Sequence, residues 1–149
     1  TYTSAKKVVL KKPTRKGYAF KGWYTDRKCT KKITSIKKGS KKNYTIYAKW
    51  SKVKVKKTTG LKVMNTKGKN LVVRYSKVSG AKGYQITYAT NSKFTKGKKV
   101  VNTTKRTKTI QKLKKGKTYY VRVRAYKKDS TGRKVYGKYS KVMKVKITK

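Results

Sequence analysis

Apolar and polar residues alternate along much of this chain with a period of two, the spacing of a strand that buries one face. The pattern predicts a first strand over residues 6–12, carrying Val8, Val9 and Leu10 and ended by Pro13. Gly17 marks a turn, after which Tyr18-Ala19-Phe20 leads through Gly22 into Trp23-Tyr24. Thr25-Asp26 opens a polar turn, Ile33 and Ile36 form a second apolar patch, and Gly39-Ser40 turns again. Residues 44–50 alternate cleanly, with Tyr44, Ile46, Ala48 and Trp50 on one side. Residues 53–60 read as a linker with strand character. Further strands are expected at 61–63, 71–75, 83–89, 99–101, 107–113, 119–126 and 142–147. In the strand at 119–126, Tyr119, Val121, Val123 and Ala125 face inward, and Tyr120, Arg122, Arg124 and Tyr126 face outward. No segment carries a helical period. Short strands separated by turn signals indicate an all-β protein.

Charge changes the picture of what this β protein does. The chain has 149 residues, with 48 Lys plus Arg, 2 Asp plus Glu and no His, for a formal net charge of +46. Such a charge with 34% hydrophobic residues would suit disorder, but 13 Tyr, 2 Trp and alternating Val and Ile argue for a folded core inside a cationic exterior. Without His there is no imidazole base or ligand. The two acids, Asp26 and Asp129, are too far apart in sequence to suggest a catalytic pair, and they cannot furnish a multi-carboxylate metal site. Asp26 reads as an Asx-turn residue and Asp129 as a hairpin-loop residue. An internal Lys–Asn isopeptide bond, which needs a buried acid, is not expected. Cys29 sits beside Arg27, Lys28 and Lys31, which favour a thiolate, but no base accompanies it, so it reads as inert. The expectation is no enzyme, no cofactor, no metal and no small-molecule substrate. Asn43-Tyr44-Thr45 and Asn102-Thr103-Thr104 match the glycosylation pattern by chance. The chain opens on Thr1-Tyr2-Thr3, with no initiator Met, signal core or bilayer-length apolar run, and reads as an excised or processed segment.

Two segments resemble known families. Residues 13–50 resemble the Listeria–Bacteroides repeat, the internalin B-repeat family, through Pro13, Gly17, Tyr18, Phe20, Gly22-Trp23-Tyr24 and Tyr47-Ala48-Lys49-Trp50. The resemblance implies a small β-grasp-like module of bacterial surface proteins. Such repeats begin with a further strand ending in Gly-Gly, which this sequence lacks. Residues 58–149 resemble a fibronectin type III domain through Gly80-Ala81-x-Gly83-Tyr84, Leu113-x-x-Gly116-x-x-Tyr119 and Gly137-x-Tyr139-Ser140. That resemblance implies a β-sandwich in which Tyr119 is the tyrosine-corner residue, its hydroxyl serving a backbone group near Leu113, with Tyr75 where the family often has Trp. The expected organisation is a repeat module at 1–52, a linker at 53–60 and a type III domain at 61–149. Both families imply an extracellular place, secreted or on a bacterial cell surface.

The lysines carry the functional expectation. Same-face residues on a strand lie about 6.5–7 Å apart. Lys52, Lys54 and Lys56, or Lys144 and Lys146, would line up as combs of ammonium groups, with Arg122 and Arg124 adding guanidinium groups. Such combs suit non-specific contact with anionic polymers: teichoic acid, glycosaminoglycan or nucleic acid. Lysine far outnumbers arginine, which argues against reading base edges. Trp23 and Trp50, with Tyr18 and Phe20, read as the core of the small module rather than as a stacking platform. The expected role is a stalk or adhesion segment held to polyanions. The alternative is a structural spacer or extracellular filament subunit, self-associating through edge strands, with no dedicated ligand.

Overall fold

The computed structural model describes residues 6–149, so Thr1-Tyr2-Thr3 and the rest of residues 1–5 lie outside the described residues. Among the described residues every regular element is a strand. The chain divides into two compact units, Thr1–Val53 with Lys128–Arg133, and Lys54–Lys127 with Lys134–Lys149.

The described part of the first unit has five strands: β1 (Val8–Val9), β2 (Tyr18–Tyr24), β3 (Lys32–Ile33), β4 (Ser35–Ile36) and β5 (Tyr47–Lys52). β1 pairs β4, and a second sheet runs β3-β2-β5, all antiparallel. The expected strand at 44–50 is shifted towards the C-terminus, because pairing with β2 runs from Tyr24 opposite Tyr47 to Tyr18 opposite Lys52. A bulge falls between Phe20 and Gly22, where Gly22 takes a φ of 139°. The bulge matters for packing. Phe20 and Trp23 are three apart and would face opposite ways in a regular strand, but one extra residue brings both to the same face. Phe20 then meets Trp23 edge-on at 5.5 Å and Trp50 at 5.4 Å. All three rings are half-buried, and no apolar side chain in the described part of this unit is fully buried.

The second unit holds the molecule's deep core. Its strands are β6 (Lys62–Thr66), β7 (Asn70–Arg74), β8 (Gly83–Ala89), β9 (Lys99–Thr103), β10 (Thr107–Ile110), β11 (Thr118–Lys128), β12 (Lys134–Tyr136) and β13 (Met143–Lys146). One sheet runs β10-β7-β6. The other runs β12-β11-β8-β9, with β13 also paired to β11. Leu71, Val73, Ile86, Val121, Val123 and Ile147 are fully buried between them, as their alternation demands. Val55 packs against this core, and Thr58 is fully buried, its hydroxyl accepting the Ala125 amide at 2.9 Å.

Tyr126 lies outside the core cluster, as an outward residue of β11 should, yet it is only 8% exposed. Its partner across the ladder is Gly83. With no side chain there, the Tyr126 ring settles over the glycine, where a Cβ would come within 2.5 Å of its hydroxyl. β12 was not foreseen, and its Tyr136 meets Tyr126 edge-on at 5.8 Å.

Candidate functional site

The candidate site is the cationic exterior. Lys52 is exposed at the end of β5, and Lys54 and Lys56 are exposed in the segment after it. They alternate with half-buried Val53 and Val55. Lys144 and Lys146 are exposed on β13, opposite Tyr120 and Thr118 of β11. Elsewhere, Lys62 and Arg74 stand directly opposite each other, both exposed. Like charges in that position repel.

Arg122 and Arg124 are held differently from the lysines. Both are half-buried on the outer face of β11. The Arg122 guanidinium carbon lies 4.0 Å from the ring centres of both Phe94 and Tyr139. That of Arg124 lies 3.9 Å from Tyr136 and 4.6 Å from Tyr139. Gln85 Oε1 accepts from Arg124 Nε at 2.9 Å and from the Tyr139 hydroxyl at 3.4 Å. Planar guanidinium groups stack on rings in a way ammonium groups do not. The Arg122 Nε itself is buried with no hydrogen-bond partner. Sequence reasoning saw the two arginines but not their rings, which arrive from two separate stretches of chain. The available signal was Tyr136-Gly137-Lys138-Tyr139 following an Arg-Val-Arg strand.

The residues expected to be structural occupy these places. Trp23 donates its indole N–H to the Lys11 carbonyl at 2.9 Å. Trp50 is half-buried against Phe20. Tyr119 is buried, and its hydroxyl accepts the Lys114 amide at 3.2 Å.

The two carboxylates are occupied locally and do little to offset the field. Asp26 accepts the Lys31 amide at 2.6 Å and the Thr30 amide and hydroxyl at 3.0 Å, with the Lys31 amide foremost in holding its carboxyl below the usual range. Asp129 is 8% exposed and accepts the Gly17 amide at 2.7 Å, the Thr131 amide at 2.9 Å, the Arg133 amide at 3.1 Å and the Thr131 hydroxyl. The Gly17 amide leads in pulling its carboxyl down to about 2. No group of three or more potential metal ligands occurs among the described residues, and no described helix is long and apolar enough to cross a membrane.

Family comparison matches residues 1–49 to the Listeria-Bacteroides repeat domain and residues 54–138 to the fibronectin type III domain. Among solved structures, an Fn3-like protein from Clostridium thermocellum is 23% identical, covering 62% of this chain and 92% of its own, with a TM-score of 0.49. The chicken CNTN1 FN1-FN3 domains are 20% identical over 70% of this chain and 35% of theirs, with a TM-score of 0.54. The 6th fibronectin type III domain of human fibronectin type III domain containing protein 3 is 14% identical over 66% of this chain and 90% of its own, at 0.51. The latter two likenesses show the type III fold alone. The comparison with curated proteins gives no match.

Proposed function

We propose, from the premise that this chain belongs to the fibronectin type III family and carries a Listeria-Bacteroides repeat ahead of that domain, that it is a polyanion-holding stalk or adhesion segment. Both kinds of domain are typically non-catalytic modules and are common in extracellular bacterial proteins. The proposed setting is therefore outside the cell, on the surface or secreted.

One observation carries the reading. The lysines are exposed on strands and connections of both units, while the two acids are tied up by backbone amides and threonine hydroxyls. With 48 Lys plus Arg against these 2 carboxylates, the field is overwhelmingly positive. Anionic polymers would be held by many ammonium contacts and counterion release. The experiment is binding to an array of wall polymers, glycosaminoglycans and nucleic acid at ~150 mM salt, where Debye screening near 8 Å suppresses weak surface attraction. Expected is retention that falls steeply with added salt, slightly weakened by any one Lys→Ala and strongly by reversing Lys144 and Lys146 together. Indifference to every polyanion at that salt would favour the spacer or filament-subunit reading instead.

A further inference from the structure

Within the second unit, a cleft of about 400 Å³ opens between the β8–β9 turn and the β10–β11 connection. Its rim carries Lys99, Lys112, Lys114 and Lys117, all exposed, and its apolar floor includes buried Leu113. Tyr88 and Tyr119 line it as well, their rings 6.2 Å apart. Tyr88 stands opposite Lys99 across the β8–β9 ladder.

Tyr88 sets this cleft apart from the rest of the lysine surface. Its side chain is only 6% exposed, and among the described residues its hydroxyl has no hydrogen-bond partner and is not closed off from solvent, so it is reachable from the cleft. Burial, reinforced by Tyr119, pushes Tyr88 above the ordinary tyrosine value, so it keeps its proton and remains a donor at neutral pH. The Tyr119 oxygen already accepts the Lys114 amide, which leaves its proton free to donate. Four lysines on the rim and two tyrosines in the lining, over an apolar floor, are a combination suited to an oxyanion. Ammonium point charges suit a compact tetrahedral group, where a planar carboxylate pair would call for Arg. The volume falls within the range of small-molecule sites, roughly 300–1,000 Å³, and exceeds what a bare oxyanion fills.

We infer that this cleft binds a phosphate or sulfate ester carried on a sugar-sized group, as one discrete subsite within the otherwise diffuse array. It rests on the polyanion reading and makes one part of it specific. The probes are glucose 6-phosphate, glucose 6-sulfate and glucose, titrated into the full chain at ~150 mM salt and followed by amide chemical shifts. Expected is saturable one-to-one binding of an ester, with shifts centred on Thr90, Gly97, Gln111 and Leu113. The tighter ester identifies the group, and glucose leaves the spectrum unchanged. Tyr88→Phe keeps the ring and should weaken ester binding roughly tenfold, the loss of one hydrogen bond to a charged group. Lys112→Gln should weaken it several-fold, and Lys144→Gln should not. Equal binding of glucose, shifts spread evenly over the lysines, or an unaffected Tyr88→Phe would overturn the site. In that last case, unchanged retention on long polyanions leaves the diffuse reading standing. Saturable ester binding without any retention of polymers would remove the diffuse reading and keep the cleft.

Discussion

Asp26 and Asn91 hold the same position in two loops of one design. The segments are Thr25-Asp26-Arg27-Lys28-Cys29-Thr30-Lys31 and Thr90-Asn91-Ser92-Lys93-Phe94-Thr95-Lys96. Asp26 accepts the amides of Thr30 and Lys31, and Asn91 accepts those of Thr95 and Lys96, both at 3.0 Å. Three residues after each cap, Cys29 and Phe94 take positive φ values of 53° and 57°. The Thr25 and Thr90 amides donate to the carbonyls of Lys31 and Lys96. The same local chemistry therefore closes a hairpin in each of two unrelated units.

From this pairing, Asn91→Asp should stabilise the protein. The carboxylate keeps both amide bonds and strengthens them with charge. The Thr95 hydroxyl, which now accepts from the Asn91 amide group, can turn and donate, as Thr30 does to Asp26. A gain of about 1 kcal/mol at pH 7 is expected, vanishing near pH 2. Urea unfolding at the two pH values measures it, and a loss at pH 7 would break the parallel.

Acid should weaken the fold through both carboxylates. Their folded-state values lie below the ordinary 3.8, with Asp129 at about 2. The stability they contribute is fully present above pH 4 and is lost as pH falls towards 2. Protonation also adds positive charge to a chain already at +46. Asp129→Asn should flatten part of this dependence, seen in melting temperatures between pH 5 and 2.

Multivalent anions should raise the melting temperature at neutral pH. They bind the folded array of ammonium groups better than the extended chain, and they relieve self-repulsion. Sulfate or phosphate should exceed chloride at equal ionic strength in a thermal scan. Insensitivity to the anion would mean that repulsion is not a measurable cost here.

Arg122→Lys should cost about 1–2 kcal/mol although the charge is kept, because the ammonium loses its stacking between Phe94 and Tyr139. Denaturant midpoints compared with Lys144→Arg provide the control, which should be close to neutral.

Gly83→Ala should displace the Tyr126 ring, since the added methyl falls within 2.5–2.9 Å of three of its atoms. Expected is a loss of about 1–3 kcal/mol with increased Tyr126 exposure, readable from unfolding curves and tyrosine fluorescence.

The sandwich was legible because its period-two runs are long and its inward residues apolar, as in the strand from Tyr119 to Ala125. Tyr126 escaped because its burial depends on a missing side chain across the ladder, which no alternation records. Phe20 and Trp23 sharing a face depends on a bulge, and an extra residue inverts parity for everything beyond it. The lysines were visible one by one, but the cleft joins Tyr88 and Lys99 to residues 112–117, brought together only by the fold. β12 is three residues long, too short for a pattern to announce it.

That no apolar side chain in the described part of the small repeat is fully enclosed has a mechanical meaning. Under tension, a layer of half-covered rings has little to resist water entering, whereas the sandwich must break open around Ile86 and Val123 before it yields. The repeat should therefore lengthen at low force and re-form when slack returns. A chain pulled from both ends would then give up length in this unit first.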